Sequence, residues 1–330
     1  MRAVVLVGGF GTRLRPLTNS VPKPMLPVGH VSIIERLIAN LVRGGITDVT
    51  LALGFKPEPF VEAFPDGTCA GATLTYAVEP EPLDTAGAIR FAARFANIDD
   101  TFVVANGDVL TDLDIAALVE FHRRNGAEAT LHLTPVEDPS AFGVVDCDEV
   151  GRVQRFIEKP PPGTSPSNLI NAGTYVFEPS VIDRIPDGRK VSVEREIFPV
   201  IVAEGKLWAM ATDDYWIDAG QPDLYLSANL DVIGGRRAVH SRAEGIAPGS
   251  VIGEDVSIDD AVIAAGATVG DGASVTHSVV LAGARIGVGA TVSHSVVMGH
   301  IGDGALVSNC VVGADAIVAD GESRSDERIA

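Results

Sequence analysis

Aliphatic side chains recur between residues 252 and 312 in steps of six, six and five: Ile252, Ile258, Ile263, Val269, Val275, Val280, Ile286, Val292, Val297, then Ile301, Val307 and Val312. Val275-Thr-His-Ser-Val-Val280 returns seventeen residues later as Val292-Ser-His-Ser-Val-Val297. Three inward aliphatics per turn, with Gly, Ala and Asp at the corners between them, is the hexapeptide pattern of a left-handed parallel β-helix. A disordered Ala/Gly/Val segment has no reason to hold that register. About four coils are expected over residues 246–320, followed by a polar tail, 321–330. His277 and His294 occupy equivalent places, where a repeat corner explains them better than a ligand ladder.

Residues 1–235 have another texture. Short apolar runs at Ala3–Val7, Asp48–Leu53, Leu74–Val78 and Phe102–Ala105 alternate with helical patterns over Ile33–Val42, Ala86–Phe95 and Leu113–His122. That alternation predicts an α/β fold, a Rossmann-like doubly wound, mostly parallel sheet covered on both faces. Ligands of such sheets sit at the carboxyl ends of the strands, so the loops after Val7 and Ala105 are the first to inspect. Acids outnumber bases 44 to 25, a net charge of −19, which excludes a basic nucleic-acid footprint and argues against docking on anionic lipid. Cys69, Cys147 and Cys310 are scattered and odd in number, so no disulfide framework or zinc knuckle is expected. No leader-like h-region and no stretch of eighteen apolar residues is present, and a soluble cytoplasmic protein is the expectation.

Four features carry chemistry. The first is Leu6-Val-Gly-Gly-Phe-Gly-Thr-Arg-Leu-Arg-Pro, running on to Pro22-Lys23-Pro24. Gly8, Gly9 and Gly11 let backbone N–H groups converge on an anion. Thr12-Arg13 stands where a Walker loop needs Lys-Ser/Thr, and Leu14 stands where a dinucleotide fingerprint needs its third Gly. What remains is a phosphate cradle with a guanidinium in it and Lys23 aimed by flanking prolines. The second is Asn106-Gly107-Asp108 at a strand end, where a lone Asp is ordinarily a helix cap, a part that Asp112 or Asp114 could take instead. The third is Tyr215-Trp-Ile-Asp218-Ala-Gly220. Should Asp108 and Asp218 meet, they would form an oxygen site suited to Mg²⁺. The fourth is Glu158-Lys159-Pro160 with Asn171-Ala-Gly173: hydroxyl acceptor, phosphate cation, amide and a residue allowing close approach of a ring. A β-hairpin with solvated charges explains that spacing as well.

Together these residues resemble the sugar-nucleotidyltransferase family, over nearly the whole chain. The motifs are GGFGTRLRP…PKP at 8–24, EPLDTAG at 81–87, NGD at 106–108, EKP at 158–160, NAG at 171–173 and WIDAG at 216–220. Within the family, the EPLDTAG segment and the Val193-Glu-Arg-Glu-Ile-Phe run are most similar to the mannose-1-phosphate guanylyltransferases. The resemblance implies in-line attack of a sugar 1-phosphate oxygen on the α-phosphorus of a nucleoside triphosphate, with pyrophosphate leaving. The nucleophile is already an anion, so no general base is needed. Arg13, Lys23, Asp108 and Asp218 are then the catalytic set, and Asp108 and Asp218 hold Mg²⁺. Gly8, Gly9, Gly11, Thr12, Arg13, Glu79, Thr85 and Asn106 bind the nucleotide. Glu158, Asn171 and Gly173 bind the sugar, and Lys159 its phosphate. A carboxylate at Glu79 can accept both N–H groups of guanine, which favours GTP. Asp84 departs from the family, whose members usually carry Gly there, and beside a triphosphate it should repel unless it turns outward. GTP with mannose 1-phosphate is the expected pair, giving GDP-mannose. Glucose 1-phosphate with dTTP or UTP, and an inactive regulatory subunit, are the alternatives. Self-association is expected through the β-helix.

Overall fold

The computed structural model of the protein describes residues 1–9, 11–54, 57–237 and 243–330. They form two compact units, residues 1–8 with 34–216, and residues 9–33 with 217–330.

The first unit is built on a ten-stranded mixed sheet. At its centre Arg2–Leu6 lies between Asp48–Leu53 and Phe102–Asn106, and Ala72–Val78 adds beyond Asp48–Leu53, all parallel. These strands are near-continuous apolar runs because helices cover both faces; Ala3, Val4 and Val5 are wholly buried. On the other side the sheet turns antiparallel. Leu169–Phe177 pairs with Phe102–Asn106, then come Gly143–Cys147 and Val153–Glu158. Leu169–Phe177 also pairs with Ala129–Pro135, which carries Leu207–Ala211. The two strands bearing Glu158 and Asn171 are therefore not a hairpin, since Gly143–Cys147 runs between them. An aromatic cluster fills the core beneath: Tyr175 and Phe198 meet edge to face at 5.3 Å, and Phe102 and Phe177 at 6.0 Å.

Register decides what gathers at one edge. Leu6 stands opposite Asn106 and Ala52, and Leu53 opposite Val78. The chain thus leaves the parallel strands side by side at Gly8, Gly54, Glu79 and Asn106. Leu169–Phe177 runs the other way, with Thr174 opposite Ala105, so its beginning, Asn171–Gly173, reaches the same edge. The helix Ile115–Asn125 is capped by Asp114, whose Oδ1 accepts from the Ala117 N–H at 3.0 Å. That leaves the cap role filled without Asp108.

In the second unit the strands from Val251 to Ile329 stack as three five-stranded parallel sheets, a β-helix of five coils. The inward columns run Val269, Ile286, Ile301, Val318; Val275, Val292, Val307, Arg324; and Val280, Val297, Val312, Ile329. Residues 322–329, expected as a polar tail, form strands Ser323–Ser325 and Arg328–Ile329 of the fifth coil. They are held by parallel pairing with the coil before, Val307 opposite Arg324 and Val312 opposite Ile329, although their side chains are mostly polar. Arg324 ends its aliphatic column as a charged lid, paired with Glu322 at 2.7 Å and Glu327 at 3.1 Å. His277 and His294 are corner residues in the left-handed region (φ 45° and 48°), their rings stacked 5.2 Å apart. The helix Pro222–Gly234 packs on strand Val262–Ile263. The segment 27–32 folds against that helix: the Gly29 N–H donates to Asn229 Oδ1 at 2.9 Å, and the Tyr225 hydroxyl to the Pro27 carbonyl.

Candidate active site

The second unit holds a knot of opposite charges. Lys23 opens a single 3-10 turn, Lys23–Met25, and is only 4% exposed. Its Nζ donates to Asp218 Oδ1 at 2.6 Å, while Arg13 Nη2 lies 3.7 Å from Asp218 Oδ2. A buried ammonium requires such a partner. Arg13 itself is largely open to solvent, its side chain 62% exposed. Thr12 and Arg13 lie in the short 3-10 turn Thr12–Leu14 that follows Gly11. Gly11 is left-handed (φ 57°), and its carbonyl accepts from Thr18 Oγ1 at 2.7 Å and the Leu14 N–H at 3.0 Å, which closes the loop on itself. Gly9 is exposed, with open space where a side chain would stand. The arrangement suits a polyanion: one open guanidinium and a buried ammonium, both oriented by one carboxylate.

The sheet edge of the first unit collects carboxylates. Burial, and then the charge of nearby Glu194, Glu158 and Asp108, pushes the hydroxyl pKa of Tyr175 up. Burial, then the nearby Glu194, raises the Glu158 carboxyl above its ordinary range, against the opposing pull of Lys159 and Arg195. Lys159 Nζ stands 3.6 Å from Glu158 Oε1, and Lys159 is itself left-handed, φ 49°. Asn171 bridges within its own strand. Its Nδ2 donates to the Tyr175 hydroxyl at 2.9 Å, and its Oδ1 accepts from the Gly173 N–H at 3.1 Å. That turn coincides with the irregularity in pairing between Asn171 and Tyr175. Gly173 (φ 79°) is required there, since a Cβ would stand 2.7 Å from Asn106 Nδ2. Asn171, Gly173 and Asn106 are thereby brought together, as are Glu158 and Lys159.

Other expected site residues have structural duties as well. Glu79 Oε2 accepts from the Leu83 N–H at 3.0 Å and braces the turn into the helix Asp84–Phe95. Its Oε1 has no hydrogen-bond partner among the described residues, and burial raises its pKa. Thr85 Oγ1 donates to Glu194 Oε2 at 2.8 Å and accepts from the Val193 N–H at 2.9 Å. Asp84 is exposed and left-handed (φ 62°), with Oδ1 turned back on the Thr85 N–H at 2.8 Å. That backbone conformation is the one glycine adopts at no cost, which explains why Gly suits the place and why Asp tolerates it.

Two residues that belong to these clusters had no role in the sequence reading. Gly220 lies where a Cβ would stand 2.8 Å from Asp218 Oδ1 and 3.2 Å from both Arg13 Nη2 and Lys23 Nζ. The signal was there, as a glycine two residues after a carboxylate, but the reason is steric and appears only in three dimensions. Glu194 lies in a π-turn, Val193–Ile197, a geometry that frequents functional sites. Among the described residues no group of three or more His, Cys, Asp or Glu is arranged to hold a metal. Mg²⁺ does not need one, because it takes one or two carboxylates and fills the rest with water and phosphate oxygens. Asp108 belongs to the first unit and Asp218 to the second, and each offers carboxylate oxygens of the kind Mg²⁺ takes.

A nucleotidyl transferase model matches residues 2–234, and a GlmU-like C-terminal hexapeptide model matches residues 252–324. The chain belongs to the nucleotidyl transferase family. It is 44% identical to a mannose-1-phosphate guanylyltransferase of Mycobacterium tuberculosis, over 79% of this chain and 71% of that protein. It is 42% identical to a mannose-1-phosphate guanyltransferase of Yarrowia lipolytica, over 69% of this chain and 62% of that protein. Among solved structures, HddC from Yersinia pseudotuberculosis superposes with a TM-score of 0.60 at 29% identity, over 69% of this chain and 97% of that one. A second HddC structure, complexed with GMP-PN, matches at TM-score 0.58 and 28% identity, with the same coverage.

Proposed function

We propose that this chain is a mannose-1-phosphate guanylyltransferase, joining GMP from GTP to mannose 1-phosphate and releasing pyrophosphate. The observation that carries the reading is the Lys23–Asp218–Arg13 knot beside a glycine-rich loop, in a chain 44% identical to an enzyme of that name. In the reaction a phosphate oxygen of the sugar 1-phosphate forms a bond to the α-phosphorus, and the bond from that phosphorus to pyrophosphate breaks. No proton has to be removed, so the protein's contribution is alignment and charge neutralisation. Arg13 meets the triphosphate and steadies the departing pyrophosphate. Lys23 neutralises charge at the reacting phosphate, oriented by Asp218. Backbone groups at Gly8, Gly9, Gly11 and Thr12 line the phosphates, with Asn106 and Thr85 on the nucleoside side. Glu79 offers its unused Oε1 to guanine. Glu158, Asn171 and Gly173 receive the sugar, and Lys159 its phosphate. Asp108 and Asp218 would hold Mg²⁺, which supplies charge neutralisation on the phosphates when bound.

The reading divides the chain into a catalytic part, 1–235, and a β-helix from 246 that serves self-association, in a cytoplasmic enzyme. No helix of the described residues is long and apolar enough to cross a membrane. The test is pyrophosphate release with Mg²⁺ over a grid of four nucleotides and several sugar 1-phosphates. The expected result is one strong cell, at GTP and mannose 1-phosphate. A strong cell elsewhere overturns the substrate pair, and a blank grid overturns the activity.

A further inference from the structure

In the second unit, the fifth coil of the β-helix reaches back to the phosphate loop. Arg328 Nη1 donates to the Arg13 carbonyl at 2.8 Å and lies 3.5 Å from the Arg15 carbonyl. One coil below, Gly313 stands so close to Pro16 that a Cβ on it would lie 2.9 Å from the proline Cβ. The repeat itself does not ask for this arginine. Register places Arg328 opposite Val311, at the end of a column that reads Val262, Val279, Val296, Val311. Four coils take valine there, and the fifth takes a long cation aimed at backbone carbonyls.

We infer that Arg328 is a positioning residue for nucleotide binding: it braces the Thr12–Leu14 turn and so sets where the Arg13 guanidinium points. Carbonyl oxygens in a phosphate-binding loop repel a triphosphate if they rotate toward it. A guanidinium that holds the Arg13 and Arg15 carbonyls away keeps the N–H groups on the anion side. The rest of the Arg13 side chain is open, and its one carboxylate contact in this unit, Asp218, is a loose 3.7 Å. Backbone bracing is therefore the tighter of its two constraints. The β-helix on this account is not only an appendage for association, since its last coil helps build the nucleotide site.

The inference rests on the proposed nucleotidyl transfer, and the experiment separates the two. Arg328→Val gives the coil the residue its own column uses, so the coil keeps its packing while the loop loses its brace. The expected result is a roughly tenfold rise in KM for GTP, with KM for mannose 1-phosphate and the melting temperature unchanged. Arg328→Lys, which keeps the cation but not the fork, should recover part of the loss. Equal GTP KM values for wild type and Arg328→Val would overturn the inference, as would a parallel change in both KM values with a lowered melting temperature. Amide hydrogen exchange over residues 11–20 reads the brace without turnover. Faster exchange there in Arg328→Val supports it even if the substrate pair proves different, and unchanged exchange refutes it.

Discussion

Lys23 and Asp218 neutralise one another at 2.6 Å, whereas Glu158 and Glu194 sit near enough to raise the Glu158 carboxyl above its ordinary range. The first cluster is satisfied as it stands; the second accumulates like charge. A closed ion pair holds its geometry before any ligand arrives, which is what alignment of a triphosphate demands. A crowded pair of carboxylates gains when donors enter between them, and sugar hydroxyls are such donors. On the proposed reaction the closed pair would serve the phosphates, and the crowded carboxylates would serve the sugar hydroxyls.

The sharpest way to break this contrast is Lys23→Ala. Pyrophosphate release should fall about 10³-fold, while circular dichroism keeps the folded signature. Persistent turnover would remove the knot from the mechanism. Gly220→Ala comes next. The added Cβ collides with side-chain ends that can move, so the melting temperature should hold while kcat drops roughly 10- to 100-fold from displacement of Lys23 and Asp218. A stability loss with kcat intact would mean the glycine serves packing alone. On the sugar side, Glu158 should protonate at a higher pH than an ordinary carboxylate. KM for mannose 1-phosphate should therefore rise as pH falls through that raised range, and Glu158→Gln should flatten the profile with a roughly tenfold higher KM at neutral pH. A profile that does not respond to the substitution refutes the acceptor role. The smallest effect is expected from Asp84→Gly. Removing an exposed acid and a left-handed non-glycine should lower KM for GTP by about twofold, with stability changed by under ~1 kcal/mol. A rise in KM would show that the Asp84 carboxylate contributes to nucleotide binding.

Much of the molecule is legible from its residues. The strand Asp48–Leu53 ends where its apolar residues give way to Gly54, and the helix Ile33–Arg43 stops at Gly44-Gly45. The β-helix columns follow the six-residue step because each coil repeats the same small steric problem. The glycine-rich and charged motifs are legible as sets of residues, since local backbone demands and charge types are written in short segments. Two features escape it, for different reasons. The fifth coil looks like a tail because Arg324 and its polar neighbours break the aliphatic step, while backbone pairing with the coil before still holds the strands. The hairpin reading of 156–175 fails because sheet order depends on a strand, Gly143–Cys147, that inserts from earlier in the chain.

The sequence by itself determined the class of each part: an α/β sheet with ligand loops at its carboxyl edge, and a coil with a fixed repeat. Periodicity and glycine placement act over a few residues, so they survive in one dimension. Only the tertiary structure decided the partnerships. Lys23 meets Asp218 across 195 positions and Arg328 meets Arg13 across 315, distances over which no local pattern carries information. It also decided that a side chain at Gly220 would press on Asp218, Arg13 and Lys23, and that Glu194 stands beside Glu158. Those facts depend on where chain segments converge, and convergence is set by packing and register, not by the segments alone.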